Sequence, residues 1–369
     1  MKTKRILTFV TSLVTTAVFA AGILAARIGS IAPANADEHT PKPAQAGINL
    51  TGSHGFDFLV GDWRVHHRRI SAVSKKWVEF DGTCSLRLLM NGSANIEEHA
   101  LDSPDGAYRA IGLRSFDQKT GKWSIWWLDS RYLARPLDPP AQGSFENGVG
   151  RFYADYEQDG KKMIGRLQWS DITATSAHWE QASSADGGKT WATNWIMDLT
   201  RLNGAPKSEQ AAAGLPGSHD FAFLEGAWRV GHRYIRVQPD GQEWAQAQGT
   251  CEHHELYNGW ANVEDYVINS SSGANHAVAL RSYNPNTGQW TIWWLDGRAP
   301  SEIPTPMQGR FENGVGTFFG STTLNDKPVR VRFTWSDTAS ASPRWQQAYS
   351  YDDGKTWETV WVMEFQRGA

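Results

Sequence analysis

The sequence predicts an all-β protein made of two tandem antiparallel domains behind an N-terminal targeting segment, and three observations carry that reading. The chain repeats itself: Gly61-Asp62-Trp63-Arg64-Val65-His66-His67-Arg68 returns as Gly226-Ala227-Trp228-Arg229-Val230-Gly231-His232-Arg233, residues 123–129 return as 290–296, and 143–150 return as 309–316. Matched positions lie 165 to 167 residues apart (63 to 228, 123 to 290, 143 to 309), so one domain of roughly 150 residues is present twice. Within each copy, short runs rich in Trp, Phe, Tyr, Val, Ile and Thr alternate with Gly, Asn and Asp clusters, and no long 3.6-residue apolar period appears in the body. Asp117-Gln118-Lys119-Thr120-Gly121 and Asn284-Pro285-Asn286-Thr287-Gly288 read as hairpin loops. About ten short strands per copy fit a barrel or a sandwich.

Taken in order, the chain opens with a secretory signal peptide over 1–36. Lys2, Lys4 and Arg5 precede an apolar run over 6–26, and Ala34-Asn35-Ala36 supplies small residues for cleavage. Uncut, that run is long enough to span a bilayer, so the membrane is a partner only in that case. Either way the body is expected to be secreted or periplasmic. Residues 37–51 are polar and contain proline, which reads as a flexible leader. Repeat one is expected over 52–202, a linker with Ala-Ala-Ala-Gly-Leu-Pro over 203–216, and repeat two over 217–369.

Losing the leading segment removes Lys2, Lys4, Arg5 and Arg27 and no acid, taking the net charge from −3 to −7. An acidic body with no Lys/Arg cluster lacks the field that phosphates need, so nucleic acid is excluded as a partner. Cys84 and Cys251 occupy the same Gly-Thr-Cys triplet of each repeat and read as buried small side chains rather than a disulfide framework.

Two local signals favour a barrel over a sandwich. Gly61-Asp62-Trp63 and Gly226-Ala227-Trp228 open the first strand of each repeat, and Arg201 and Arg367 follow the last. Here the chain resembles the calycin superfamily of lipocalin-like barrels. That resemblance implies a floor closed by the Gly-x-Trp indole with the late Arg stacked across it, an arrangement favoured by cation–π attraction. The ordered set of Phe-Asp-Phe-Leu, Gly-x-Trp, Ile-Trp-Trp-Leu-Asp and Gly-Gly-Lys-Thr-Trp resembles a little-characterised bacterial family of such barrels, domain of unknown function 1579. It covers both repeats nearly end to end and says little about chemistry. A haem barrel of the nitrobindin type, with a histidine axial ligand, shares the general form; no histidine here is identified with that role, and the cofactor is unknown.

Residues 184–191 and 350–357 match the Asp-box of sialidase-like propellers, but the motif occurs only twice, 166 residues apart (191 to 357). A propeller needs four or more blades at much shorter intervals, so the motif reads as a tight hairpin.

Nineteen tryptophans dominate the composition, nine in repeat one and ten in repeat two; nine positions are shared, and Trp260 faces Ser93. On residues 123–129 both strand faces are apolar, with Trp123, Ile125 and Trp127 on one and Trp126 and Leu128 on the other. One face can fill a barrel while the sister repeat covers the other. Trp63, Val65 and His67 share a face, as do Trp228, Val230 and His232, so both histidines follow the indole inward. They read either as buried neutral rings or as acid/base and ligand-orienting groups.

The ligand-binding set expected from this pattern is His67, Arg114, Trp127, Asp129, Arg281, Trp294 and Asp296. In lipid-binding calycins, the resemblance implies, a buried Arg holds a carboxylate headgroup. Glu97/Glu264 and Gln181/Gln347 are repeated too, but alternation alone does not fix their face. The repeats differ most where Cys251-Glu252-His253-His254-Glu255 replaces Cys84-Ser85-Leu86-Arg87-Leu88. No nucleophile elbow, phosphate loop or zinc-spacing motif is present, and no metal is expected. The leading function is binding of a small apolar or aromatic ligand in one or both Trp-lined barrels. The alternative is a cofactor-independent isomerase, lyase or hydrolase with His232, His253 and Glu255 as catalytic groups in repeat two.

Overall fold

In the computed structural model, which describes residues 39–132, 137–202, 218–238, 241–271 and 273–368, each repeat closes into a ten-stranded antiparallel barrel. The expected signal peptide and linker lie outside the described residues. The first barrel is β1 (Gly61–Ile70), β2 (Trp77–Leu89), β3 (Ala94–Leu101), β4 (Tyr108–Asp117), β5 (Lys122–Asp129), β6 (Ala141–Glu146), β7 (Val149–Gln158), β8 (Lys161–Ser170), β9 (Ser176–Ser184) and β10 (Ala192–Arg201). The second is β11 (Gly226–Gln238), β12 (Gly241–Leu256), β13 (Ala261–Ser270), β14 (Gly273–Asn284), β15 (Gln289–Asp296), β16 (Met307–Glu312), β17 (Val315–Leu324), β18 (Lys327–Ser336), β19 (Arg344–Ser350) and β20 (Glu358–Arg367). Strands follow one another around each barrel, and β1 and β11 close them by pairing with both the second and the last strand. Closure removes the free edges a sandwich would keep. No helix among the described residues is long and apolar enough to cross a membrane.

Local sequence explains the turns. β6 and β7 are joined at Asn147-Gly148 and β16 and β17 at Asn313-Gly314, all four with positive φ, as a two-residue hairpin turn of this hand requires. The Asp-box segments are hairpins. Asp186 accepts hydrogen bonds from the Lys189 and Thr190 amides and the Thr190 hydroxyl, and Trp191 donates its indole N–H to the Gly188 carbonyl.

The floor is built as the Gly-x-Trp pattern implies. Arg201 lies 4.2 Å over the Trp63 ring and Arg367 3.9 Å over Trp228. The Trp63 indole donates to the Leu59 carbonyl at 2.8 Å, and Trp228 to Leu224 at 2.6 Å. Phe56 and Phe221, each about 1 % exposed or less, plug this end against Trp123 and Trp290 at 5.0 Å between ring centres.

Side-chain alternation splits each wall between two cores. Trp123 and Ile125 belong to the core inside barrel one, with Trp127 packed against it. Trp126 and Leu128 point the other way, into one apolar cluster with Leu89, Met90, Ile96, Ile111 and Leu113 and with Leu256, Trp260, Val263, Val278, Leu280, Trp293 and Leu295 of barrel two. The two barrels are therefore packed through the outer faces of β2–β5 and β12–β15. Each fully buried large side chain there contributes about 1.5–3 kcal/mol. Polar contacts cross the junction too: the Met90 amide donates to the Asp265 carboxylate at 3.1 Å, and the Tyr257 hydroxyl to the Ala110 carbonyl at 3.5 Å. Burial raises the Asp265 carboxyl to about 6.

The leader differs from its composition-based reading. Residues 39–51 are docked rather than free. The Ala44 amide donates to Gly148 at 2.9 Å, the Gln45 amide to Ile172 at 2.7 Å, and Ala44, Ile48 and Leu50 pack on the barrel-one core. Three apolar side chains and paired backbone amides are enough to hold a short polar segment down.

Candidate functional site

Strand register, not sequence proximity, assembles a buried polar cluster inside barrel one. The β2–β3 register sets Cys84 opposite His99 and Leu86 opposite Glu97, and the β3–β4 register sets Asn95 opposite Arg114. Asn95, Glu97, His99 and Arg114 are 0 %, 1 %, 1 % and 4 % exposed. Arg114 forms an ion pair with Glu97 Oε2, donates to Asn95 Oδ1 at 3.1 Å and lies 4.6 Å over the Phe56 ring. Burial works against a charged Glu97, and Arg114 and His99 outweigh it, holding the carboxyl well below the usual range. Burial, followed by Glu97, pushes the Cys84 thiol up.

That network is incomplete. His99 Nε2 lies 3.1 Å from Glu97 Oε2, yet neither ring nitrogen has an aligned hydrogen-bond partner, and Glu97 Oε1 has none. A cavity of about 30 Å³ lies against Glu97, His99, Arg114, Trp127 and Gln181, room for one or two waters.

Barrel two repeats the ion pair and adds a hydroxyl donor to it, while Glu264 Oε1, like Glu97 Oε1, has no hydrogen-bond partner. Arg281 pairs with Glu264, donates to Asn262 Oδ1 at 2.8 Å and lies 4.4 Å over Phe221. Tyr266 stands where barrel one has His99, and its hydroxyl donates to Glu264 Oε2 at 2.8 Å. His253 stands where barrel one has Leu86, opposite Glu264, 1 % exposed, with Nδ1 3.2 Å from Glu225 Oε2. Burial, then Arg281 and His254, lowers its pKa to about 3.

His67 and His232 both point inward and are 0 % and 2 % exposed. Their Nδ1 atoms accept the indole N–H of Trp195 at 3.2 Å and of Trp361 at 3.3 Å, which leaves the proton of each neutral ring on Nε2. Burial, then His99, Arg69 and His66, lowers His67 to about 3; burial lowers His232 to about 4. Glycine is required beside them. A Cβ at Gly82 would meet the Ala100 carbonyl at 2.4 Å and His67 Nε2 at 2.9 Å, and one at Gly249 would meet the Val267 carbonyl at 2.1 Å.

The expected catalytic trio in barrel two is not brought together. His232 pairs with Ala247 and Gly226 with His253, so the two histidines sit six residues apart along β12, from 247 to 253, or about 20 Å. Glu255 is at the rim, its side chain 29 % exposed and paired with His219 at 2.8 Å. Asp129 and Asp296, expected as ligand contacts, are occupied by turns. Asp129 accepts from Arg131 Nε at 2.9 Å and Nη2 at 2.6 Å, and Asp296 accepts from Arg298 Nε at 2.9 Å. Arg114 and Arg281 are inside as expected but answer Glu97 and Glu264. Cys84 and Cys251 are buried and free.

A space large enough for an organic ligand lies between the barrels, and a smaller, polar one of about 350 Å³ lies against His232, Arg233, Gln248 and Glu364. The β5–β6 ladder ends at Ile125–Ala141 and the β15–β16 ladder at Ile292–Met307, four residues before β5 and β15 end at Asp129 and Asp296. Beside these openings is an apolar cleft of about 830 Å³, walled by Trp126, Pro140, Trp293, Trp294, Ile303 and Pro306. Of the expected ligand-contact residues, Trp294 and Asp296 line it, while Trp127 lines the small cavity in barrel one.

A family described as "Protein of unknown function (DUF1579)" matches residues 54–135, within the first barrel. No curated protein matches the sequence. Among solved structures, the chain is similar to a protein of unknown function from the DUF3598 family of Nostoc punctiforme, 13 % identical, with a TM-score of 0.27 over 85 % of this chain and 97 % of that one. It is also similar to a double mutant of transferrin-binding protein B, a vaccine antigen of Haemophilus parasuis, 8 % identical, with a TM-score of 0.19 over 83 % of this chain and 75 % of that one.

Proposed function

We propose that this chain is an exported binding protein for a small, mainly apolar or aromatic molecule, held in the tryptophan-walled cleft where the two barrels meet. The observation that supports the reading is the cleft itself. At about 830 Å³ it falls in the range of small-molecule sites, which are lined chiefly by apolar and aromatic groups with few polar contacts. Trp294, partly exposed, supplies stacking surface with Trp126 and Trp293 buried behind the wall, the prolines of the two β5–β6-type loops stiffen the rim, and Asp296 is the acceptor at its edge. Export rests on the targeting pattern over 1–36. The enzyme alternative loses its geometric basis with His232 and His253 about 20 Å apart along the wall.

The reading is tested by fluorescence titration of the mature chain with 1-aminoanthracene, an aromatic probe of suitable size. One site per chain is expected, with mutual quenching of tryptophan emission. Ile303→Glu, which places a charge on the partly buried cleft wall, should weaken the probe tenfold or more and leave the melting temperature within a few degrees. Equal affinity for the variant and the native chain would sink the cleft as the site.

A further inference from the structure

Cys84, Glu97 and His99 are the group of potential metal ligands that the register of β2 and β3 gathers inside barrel one: their ligand atoms all lie within 4.8 Å of one another. The chemistry of the trio is specific. A thiol, an imidazole and a carboxylate together are the donor set of zinc and similar first-row ions. Their free valences also point the same way. Arg114 and Asn95 engage one side of the cluster, while Glu97 Oε1 and both His99 nitrogens are buried without a hydrogen-bond partner beside the cavity of about 30 Å³. Leaving such atoms unmet costs about 1–3 kcal/mol each, a cost a bound ion removes at Glu97 Oε1 and at the one His99 nitrogen it engages.

We infer that barrel one holds a divalent first-row metal ion of the zinc class, bound by Cys84 Sγ, His99 and Glu97 Oε1, with a fourth position open to the small cavity. Typical zinc bonds of about 2.0–2.3 Å require the donors to draw in by roughly 1 Å, a movement of side chains alone. Arg114, hydrogen-bonded to the other carboxylate oxygen, would orient Glu97, as partners behind ligating carboxylates commonly do. Binding expels one proton, because Cys84 enters as a thiol and ligates as a thiolate. The charges then sum to one net positive: the ion supplies two, Arg114 one, and Cys84 and Glu97 remove one each. A hydroxide, formed from water with loss of a second proton, or another small anion at the fourth position completes both the coordination and the charge.

Barrel two is the internal control. It keeps Cys251, Glu264 and Arg281 in the same register, but Tyr266 replaces His99 and spends its hydroxyl on Glu264. The inference is therefore one ion per chain, and only in barrel one.

The test uses the full mature chain, stripped with a chelator, reloaded with Zn²⁺ or Co²⁺, and passed through a desalting column before native mass spectrometry and elemental analysis. One retained ion per chain is expected, and the cobalt form should show a thiolate-to-metal charge-transfer band. His99→Tyr, a residue the sister barrel accommodates at this position, should retain none, and Tyr266→His should raise retention toward two. Cys84→Ala is the second variant should His99→Tyr fail to fold; it should lose the ion and the charge-transfer band. No retained metal in the native chain, or retention unchanged by both barrel-one variants, overturns the assignment.

Discussion

The interiors of the two barrels share a frame and part company in the layer above it. Both have the same floor, with Trp63 under Arg201 and Trp228 under Arg367. Both place a buried Arg–Glu pair on an aromatic ring and a neutral His on an indole. Above the floor, barrel one has His99 with no aligned partner and Phe80 stacked 4.6 Å from His67. Barrel two has Tyr266 donating to Glu264 Oε2 and Ala247 at the Phe80 register. Duplication kept what closes a barrel and allowed change where closure does not depend on it. Both clusters keep a carboxylate oxygen without a partner, Glu97 Oε1 and Glu264 Oε1; the difference lies at the neighbouring position, where Tyr266 is hydrogen-bonded to Glu264 and His99 has no aligned partner.

The largest expected difference tests the ion pairs. Arg114→Met leaves the Glu97 carboxylate buried with no aligned donor, and breaking such a pair costs about 3–5 kcal/mol. Arg281→Met leaves Glu264 still accepting the Tyr266 hydroxyl, and a hydrogen bond to a charged group recovers about 1.5–3 kcal/mol of that loss. Denaturant titration of the metal-free full chain should therefore show the Arg114 variant as clearly the less stable. Equal losses would mean that Tyr266 and His99 serve their carboxylates equally well, and the contrast between the clusters would fall.

Next is the ring over His67. Phe80 is 8 % exposed and packed in the barrel-one core, so Phe80→Ala should cost about 3 kcal/mol, the low end for removing a buried phenylalanine. Ala247→Phe asks whether barrel two has room for the missing ring. If it does, stability is held or gained; a loss of about 1–3 kcal/mol would report overpacking and show that the barrels differ in wall shape as well as in side chains.

Much of the frame was legible in the sequence because its signals are local and occur twice. The Gly-x-Trp triplets, the two apolar faces of 123–129 and the Asp-box hairpins each fit within a few residues, and alternation alone assigns His67 and His232 inward. The cluster was not legible, because it depends on which residue of β3 stands opposite Cys84. Glu97 ranked second for that reason, and His99 drew no notice. The available signal was the His99-for-Tyr266 exchange two residues after a repeated Glu. Asp129 and Asp296 are each held by an Arg two residues on in a turn, and of the two Asp296 also lines the cleft. His232, His253 and Glu255 misled because shared facing was taken for proximity, and strand register then separates them. The cleft was hidden for the opposite reason: it belongs to neither repeat but to their junction.

The smallest expected effect is a pH dependence present in one barrel only. His178 lies between Asp198, at 2.6 Å, and Glu180, at 3.3 Å, with the His39 ring 4.1 Å away and Arg68 3.7 Å from Asp198. Burial disfavours its charged form, and Asp198 and Glu180 outweigh burial, raising the pKa to about 9. A histidine raised above its unfolded value stabilises fully below about pH 6.5, and that contribution is lost as pH climbs through about 9. Barrel two has Arg344, Gln346 and Glu364 at these positions, and a guanidinium has no proton to lose in that window. Asp198 is 48 % exposed, so solvent screens part of the attraction and a loss of about 1–2 kcal/mol is expected between pH 7 and pH 10. His178→Gln should flatten this part of the stability profile, while Arg344→Gln should leave the shape of the profile unchanged. Parallel profiles for the native chain and His178→Gln would show that this pair, too, is the same in both barrels.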